Sequence, residues 1–324
     1  TQITINPTNN LVTSTEYYIQ IATTAFDDVA GNSYAGIVDS WTKIGGDIDG
    51  EAANDESGKS ISLSSDGTTV AIAASKNDSN GTDSGHVRVY RNNNGTWTRI
   101  GGDIDGEAAE DFSGSSVSLS ANGSIVAIGA YKNDGNGNES GHVRIYQNTN
   151  NDWVKIGDDI DGEAAGDQSG YSVSLSSNGS VVAIGAIYND GTASNAGHVR
   201  VYQNNSGTWT KVGSDIDGEA GSDESGYSVS LSADGSVVAI GAIYNDGGGG
   251  NAGHVRVYKN DNGTWTKIGS DIDGESNSDY LGWSVSLSAD GSVVAIGAQR
   301  DDGTGYDAGH VRVYKNNNGT WTKI

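Results

Sequence analysis

"SGYSVSLSSNGSVVAIGAIYNDGTASNAGHVRVYQNNSGTWTKVGSDIDGEA", residues 169–220, contains four short runs in which apolar and polar residues alternate. In the first run, Tyr171, Val173 and Leu175 fall on one face and serines fall on the other. Alternation with a period of two is the pattern of a pleated β-strand. The runs YSVSLS, SVVAIGA, HVRVYQ and TWTKVG therefore predict four strands, which we call A, B, C and D.

Tight turns connect these predicted strands in pairs. Asn178-Gly179 lies between strands A and B, and Asn262-Gly263 lies between strands C and D of a later copy. Asn-Gly and Asp-Gly pairs favour type I′ hairpin turns, because both central residues of such a turn need positive φ. Each set of four runs therefore predicts an antiparallel meander.

The pattern returns every 56 residues. The repeated positions include a tryptophan in strand D and a histidine in strand C, namely Trp41, Trp97, Trp153, Trp209, Trp265 and Trp321, and His86, His142, His198, His254 and His310. Radial repetition of four-stranded antiparallel sheets is the architecture of a β-propeller. The sequence predicts an all-β fold over residues 41–324, a β-propeller of five four-stranded antiparallel blades. A fragment of a larger ring is the alternative.

Three segments of one repeat carry a family resemblance. Gly226-Tyr227-Ser228-Val229 matches an FG-x-S-V start, Val238-Ala239-Ile240-Gly241-Ala242 matches a V-G-A-P end without its proline, and Gly253–Tyr258 matches a G-x-V-Y-V-Y strand. In these features the chain resembles the FG-GAP repeat of integrin-α-like β-propellers, in the form found in bacterial secreted and surface proteins. That family's calcium loop lies between strands A and B. A bare Asp-Gly or Asn-Gly turn replaces it here, so the resemblance carries no calcium site.

Residues 1–40 lack the repeat. Thr15–Ala22 alternates like a strand, and the segment AFDDVAGNSYAGI resembles the last strands of bacterial Ig-like surface domains. An Ig-like sandwich needs about seven strands, more than this length allows. We expect residues 1–40 to form a partial Ig-like β segment or a linker.

The charge is strongly negative, with 42 acidic against 18 basic residues and a formal net charge of −24. Nucleic acids and anionic membranes attract basic surfaces, so we predict neither as a partner, and no apolar stretch suits membrane insertion. In an antiparallel meander the B–C loops and the D-to-A linkers share one end. Most of the acidic residues belong to these segments, which predicts an acidic rim.

Each linker offers oxygen ligands of the type that calcium prefers. The spacing differs from an EF-hand, because glycine is the fourth residue and glutamate the fifth. Weak cation binding at the rim and purely structural turns are the alternatives, since Asp and Gly are also common turn residues. The candidate Ca²⁺ ligands are Asp47, Asp49, Glu51, Asp55; Asp103, Asp105, Glu107, Asp111; Asp159, Asp161, Glu163, Asp167; Asp215, Asp217, Glu219, Asp223; and Asp271, Asp273, Glu275, Asp279.

Two positions next to the rim differ between copies. One directly follows the strand-A glycine and the other precedes the Ser-Gly pair. Aromatic residues at these positions suit contact with a protein or a carbohydrate. The candidate ligand-binding residues are Tyr171, Tyr227, Trp283, Phe112 and Tyr280. The histidines, one in each blade, are expected to be buried and hydrogen-bonded.

The repeats favour a function without catalysis. An active site needs distinct groups in distinct roles, whereas nearly every acidic residue here recurs in each copy. We expect a non-catalytic extracellular or cell-surface protein for adhesion or structural assembly, with calcium as a candidate cofactor. Its expected partners are other surface proteins, glycans or copies of itself. A lectin-like propeller is the alternative, and a polysaccharide-active enzyme is a third reading.

Overall fold

A computed structural model describes residues 42–303 and 305–324. The chain divides into two compact units, Thr1–Ile44 and Gly45–Ile324. Only residues 42–44 of the first unit are described, so the Ig-like segment or linker predicted for residues 1–40 lies outside the described residues. Among the described residues, no helix is long and apolar enough to cross a membrane.

The second unit is an all-β propeller with five blades of four antiparallel strands, as the sequence predicts. Blade 1 contains β1 (Ser57–Leu63), β2 (Thr69–Ala74), β3 (His86–Asn93) and β4 (Thr96–Arg99). Blade 2 contains β6 (Ser116–Leu119), β7 (Ile125–Ala130), β8 (His142–Thr149) and β9 (Asp152–Lys155). Blade 3 contains β11 (Ser169–Leu175), β12 (Val181–Ala186), β13 (His198–Asn205) and β14 (Thr208–Lys211). Blade 4 contains β16 (Ser228–Leu231), β17 (Val237–Ala242), β18 (His254–Asp261) and β19 (Thr264–Lys267). Blade 5 contains β21 (Leu281–Leu287), β22 (Val293–Ala298), β23 (His310–Asn317) and β24 (Thr320–Lys323).

The linkers between blades add strands that the sequence pattern does not predict. They are β5 (Ile104–Asp105), β10 (Ile160–Asp161), β15 (Ile216–Asp217) and β20 (Ile272–Asp273). Each pairs with the first residues of strand C in the blade that precedes it; in β10, Ile160 pairs with Val143. Strand D is four residues long and pairs only with the end of strand C. The linker therefore occupies the edge that strand D leaves free.

Neighbouring blades pack through apolar residues and backbone hydrogen bonds. Between blades 3 and 4, Val199 and Val201 share a buried cluster with Leu231. Between blades 2 and 3, the Ala121 N–H donates to the Ser177 carbonyl at 2.7 Å, and the Leu175 N–H donates to Ser118 Oγ at 2.9 Å. Equivalent bonds join each successive pair of blades, so one interface is repeated four times along the chain.

The first and last blades each leave one face exposed. Leu63 of blade 1 is 58% exposed, whereas the equivalent Leu119 is 7% exposed in contact with blade 1. Val311 of blade 5 is 70% exposed, whereas the equivalent Val255 of blade 4 is fully buried. Among the described residues, none covers these positions of blades 1 and 5 as the neighbouring blade does inside the array.

Candidate functional site

The last aspartate of each predicted calcium set braces the linker from inside. Asp167 is 4% exposed, and its Oδ2 accepts hydrogen bonds from the Ala164 N–H and from Asn189 Nδ2, both at 3.0 Å. The asparagine follows strand B of the next blade. Equivalent bonds hold the other four members, Asp55, Asp111, Asp223 and Asp279; for Asp279 the structure gives the bonds to the linker backbone.

The glutamate of each set pairs with the arginine of strand C. Arg144 is 6% exposed, and its Nη1 lies 3.3 Å from Glu107 while its Nη2 donates to the Asp105 carbonyl at 2.7 Å. The same pairing holds Glu51, Glu163, Glu219 and Glu275, each by its own arginine. Each arginine therefore fixes the linker to the following blade.

The first two aspartates of a set have different interaction partners. Lys155 Nζ lies 2.6 Å from Asp159, and the same i,i+4 pair recurs at Asp103, Asp215 and Asp271. Asp161 Oδ1 lies 4.0 Å from His142 Nδ1, and Asp105, Asp217 and Asp273 approach their histidines at similar distances. The Asp49 backbone carbonyl accepts a hydrogen bond from Arg88 Nη2. Asp47 lies in the described part of the first linker.

The structure nevertheless brings together, around four of the histidines, a glutamate and an aspartate that belong to two successive predicted sets. Ligand atoms of Glu107, His142 and Asp159 lie within 4.8 Å of one another, and the groups Glu51–His86–Asp103, Glu163–His198–Asp215 and Glu219–His254–Asp271 repeat this arrangement. Every carboxylate in these groups already has a cationic partner, Arg144 or Lys155 in blade 2. A divalent cation there would compete with a lysine or arginine for these carboxylates. Calcium binding by the linkers stays a prediction.

Four of the five histidines, His86, His142, His198 and His254, are buried as expected, but their hydrogen bonding differs from the expectation. His142, His198 and His254 are each 1% exposed, and their Nε2 atoms have no hydrogen-bond partner in the described part of the chain. Burial, with a smaller contribution from the neighbouring arginine, lowers the pKa of each from 6.5 to about 4. These residues are therefore neutral at physiological pH.

The buried histidines predict an acid-sensitive fold. For His254 the neutral form is favoured in the folded state, so its contribution to stability is present above the unfolded pKa of 6.5 and is lost as the pH falls towards about 4. Between about pH 7 and about pH 4.5 we expect His254→Gln to reduce the loss of unfolding free energy by about 2 kcal/mol, measured by urea unfolding. His310→Gln is a contrasting variant, because the His310 side chain is 22% exposed and its Nδ1 lies 2.9 Å from Asp301 Oδ1, so this change removes a contact with a carboxylate and not a buried imidazole. Equal pH slopes in the wild type and His254→Gln would contradict the prediction.

The predicted ligand-binding residues lie close together on one surface. Ring centroids are 5.8 Å apart for Tyr131 and Tyr171, 5.2 Å for Tyr171 and Tyr227, and 5.0 Å for Tyr227 and Trp283. Phe112 extends this aromatic track, with its centroid 5.8 Å from that of Tyr131. The track therefore crosses from blade 2 to blade 5.

A third position of each blade, after strand B, completes this surface. Tyr244 contacts Tyr280 of the next blade at 5.5 Å, and the Arg300 guanidinium lies 5.1 Å from the Tyr280 ring. We call the three positions together the variable face: Glu56, Lys59, Lys76; Phe112, Ser115, Lys132; Gln168, Tyr171, Tyr188; Glu224, Tyr227, Tyr244; and Tyr280, Trp283, Arg300, with Tyr131 beside them. Variation between copies at the third position is the sequence signal that could have identified it.

The variable face changes in charge as well as in shape. In blade 1, Lys76 Nζ lies 2.7 Å from Glu56. In blade 4, Glu224 is surrounded by tyrosines, and burial raises its pKa from 4.5 to about 7. Tyr171, Tyr188 and Tyr244 are among the groups that interact with it, and burial raises the pKa of each. The same frame thus presents a charged patch in blade 1 and an aromatic patch in blades 3 to 5.

Comparison with known proteins agrees with this architecture. Residues 104–146 and 271–314 match the model of the FG-GAP repeat family. No curated protein matches the chain by sequence.

Solved structures from different organisms are similar in fold. A putative 6-phosphogluconolactonase from Bacteroides uniformis has a TM-score of 0.50 and 11% sequence identity, over 82% of this chain and 84% of that one. Hydrazine synthase from Kuenenia stuttgartiensis has a TM-score of 0.53 and 12% identity, over 86% of this chain and 69% of that one. At these identities the likeness concerns the fold alone.

Proposed function

We propose that this protein is a non-catalytic extracellular β-propeller that serves adhesion and binds its partner through the variable face. The observation that supports this proposal is the aromatic track on a frame that otherwise repeats from blade to blade. The copies differ at these adjacent positions, most of which are at least partly accessible. A binding protein needs this division between a constant scaffold and a variable contact surface.

The residue types of the variable face suit a protein partner. Tyrosine, tryptophan and arginine are enriched at the centres of protein interfaces, where they contribute most of the binding energy. Blade 5 presents Tyr280, Trp283 and Arg300 side by side, and Trp283 is 38% exposed. The extracellular location rests on the FG-GAP repeats, by analogy with the surface proteins that carry them.

A lectin-like function is the second candidate. The arrangement of Tyr171, Tyr227 and Tyr244 around Glu224 favours it, because aromatic rings with hydroxyl groups beside a carboxyl offer both apolar area and hydrogen bonds. A glycan would lie across the track, whereas a protein partner would cover the wider face.

Bead adhesion tests the proposal. Beads coated with the protein are expected to be retained on cells of the organism that makes it. The triple variant Tyr171→Ala, Tyr227→Ala, Trp283→Ala should lower retention by about tenfold or more, since each ring removes a potential hot spot. Tyr306→Ala is the matched control, because Tyr306 is 89% exposed and lies outside the variable face.

Treatment of the cells identifies the partner class. Loss of retention after protease treatment supports a protein partner, whereas loss only after periodate oxidation supports the lectin-like candidate. Retention equal to that of albumin-coated beads, or an unchanged value for the triple variant, would contradict binding through this face.

A further inference from the structure

The imidazole of His86 is buried, and in the described part of the chain neither of its nitrogens has a hydrogen-bond partner. The residue is 1% exposed, and both Nδ1 and Nε2 are unsatisfied. The Nε2 atoms of His142, His198 and His254 are unsatisfied as well. Buried polar atoms without a partner are rare in folded proteins, because they lose their bonds to water without a replacement. The His86 ring therefore has a nitrogen available for a ligand.

Carboxylate oxygens face His86 Nδ1 from the linkers on both sides of blade 1. Glu51 Oε2 in the preceding linker and Asp105 Oδ1 in the following linker each lie 4.0 Å from Nδ1. One carboxylate oxygen of Asp103 lies within 4.8 Å of the ligand atoms of Glu51 and His86. A separation of 4.0 Å is too long for a hydrogen bond. The oxygens are therefore placed around the nitrogen without bonding to it, as ligands of one small ion would be.

The same arrangement recurs in the next three blades. The equivalent groups are Glu107–His142–Asp159, Glu163–His198–Asp215 and Glu219–His254–Asp271. In each of them, the aspartate two residues further along the linker lies 3.9 or 4.0 Å from the histidine Nδ1. We call each group, together with that aspartate, a histidine cluster. Blade 5 differs, because His310 Nδ1 already contacts Asp301 Oδ1 at 2.9 Å.

The cationic side chains beside a histidine cluster use only part of each carboxylate. Arg88 Nη1 contacts Glu51 Oε1 at 3.1 Å, whereas Oε2 is the oxygen that faces the imidazole. Arg99 contacts Asp103 through Oδ1. A carboxylate that binds a metal through one oxygen commonly accepts a hydrogen bond through the other. The competition between these arginines and a metal therefore concerns one oxygen of each carboxylate, and the arginines also hold the carboxylates in place.

We propose that the four histidine clusters are binding sites for a first-row transition metal, of which zinc fits best. The nitrogen decides the class of metal, because calcium and magnesium take oxygen ligands whereas zinc takes imidazole nitrogen together with carboxylate oxygen. In blade 1, His86 Nδ1 and one oxygen each from Glu51, Asp103 and Asp105 supply the four ligands of a tetrahedral site.

The distances suit zinc after a small movement of side chains. Zinc with bonds of about 2.0–2.2 Å places the ligand atoms of a tetrahedron about 3.3 Å apart. The two separations of 4.0 Å at His86 Nδ1 exceed this value by less than about 1 Å. The Glu51 side chain is 40% exposed and that of Asp105 is 44% exposed, so both have room to rotate.

A metal in a histidine cluster would join three separate segments of the chain. They are the linker before a blade, strand C of that blade and the linker after it, which in blade 1 contribute Glu51, His86 and Asp103. The sites use no residue of the variable face, so the proposal is independent of adhesion. They also differ from the predicted calcium sites, because each combines residues of two linkers with a histidine.

Calorimetric titration of the full chain with zinc chloride tests the proposal. Binding is expected to saturate at four equivalents for each chain, one for each cluster. His142→Gln should lower this number to three, because it removes the nitrogen of one cluster. His310→Gln is the control and should retain four equivalents, since His310 belongs to no cluster.

A second variant tests the same cluster without changing the buried ring. Asp161→Asn keeps the size of a side chain that is 44% exposed and removes one charged ligand. It should weaken zinc binding at one of the four sites by at least about tenfold. Circular dichroism of both variants checks that they fold.

Nitrogen-15 NMR of the histidine rings identifies the ligand atom. Zinc is expected to shift the Nδ1 signals of His86, His142, His198 and His254, and to leave those of His310 unchanged. Shifts confined to Nε2 would contradict the arrangement, because the carboxylates face Nδ1.

Three results would overturn the proposal. Zinc binding that is the same in the wild type, His142→Gln and Asp161→Asn would show adventitious binding by the acidic linkers only. Displacement of zinc by an excess of calcium chloride would assign the sites to oxygen ligands without the imidazole. A titration without binding heat, together with unchanged Nδ1 signals, would show that the clusters hold no metal.

Discussion

Gly162→Ala is expected to lower the free energy of unfolding by about 2–3 kcal/mol, whereas Gly50→Ala changes it by less than about 0.5 kcal/mol. Both glycines are the fourth residue of the same Asp-Ile-Asp-Gly-Glu motif. A Cβ on Gly162 would collide with the Ser140 carbonyl of the preceding blade. Around Gly50 the nearest atom of the described residues is Ser57 Cβ, at 3.1 Å from the added carbon.

The pair isolates one physical cause. Alanine restricts the unfolded chain equally in both variants, so the difference between them reports the close backbone approach. Urea unfolding of the two variants and the wild type measures it. Similar effects at both positions would show that the glycine serves the motif itself and not the contact with the preceding blade.

Asp167→Ala is expected to destabilise the protein by about 3 kcal/mol, because it leaves the buried Asn189 side-chain amide and the Ala164 N–H without their acceptor. Asp158→Ala removes a charge from an exposed position of the same linker and should change the unfolding free energy by less than about 0.5 kcal/mol. Thermal unfolding of both variants provides the measurement.

Thermal unfolding in calcium and in a chelator also distinguishes a structural role of Asp167 from a role as a calcium ligand. A structural brace predicts the same loss of stability for Asp167→Ala in calcium and in a chelator. A loss that appears only with calcium would assign Asp167 to a metal site, since a bound ligand stabilises only the state that holds it.

The sequence was sufficient to predict the blades, because their signals are local. Alternation in strands such as Ser169–Leu175 and Asn-Gly turns such as Asn178-Gly179 each depend on a few neighbouring residues. The linker strands were missed because two residues, such as Ile160–Asp161, are too short to show a period. Their pairing is decided by the edge that strand D leaves free.

The acidic linkers show why a site is harder to predict than a fold. Asp159, Asp161, Glu163 and Asp167 are close in sequence, yet their partners are a lysine of strand D, a histidine and an arginine of strand C, and an asparagine of the next blade. Conversely, Phe112 and Trp283 belong to one surface although they are far apart in sequence. Aromatic residues after strand B, such as Tyr131 and Tyr244, were missed because they look like ordinary strand ends.

The repeated interface also has a consequence for heredity. Because every junction between blades makes the same contacts, unequal recombination within the coding repeats can insert or delete one 56-residue unit without creating an unfitted junction. Such an event changes which residues neighbour each other on the variable face. Such an event alters the variable face by a whole blade, whereas a substitution at Tyr227 or Trp283 alters one side chain.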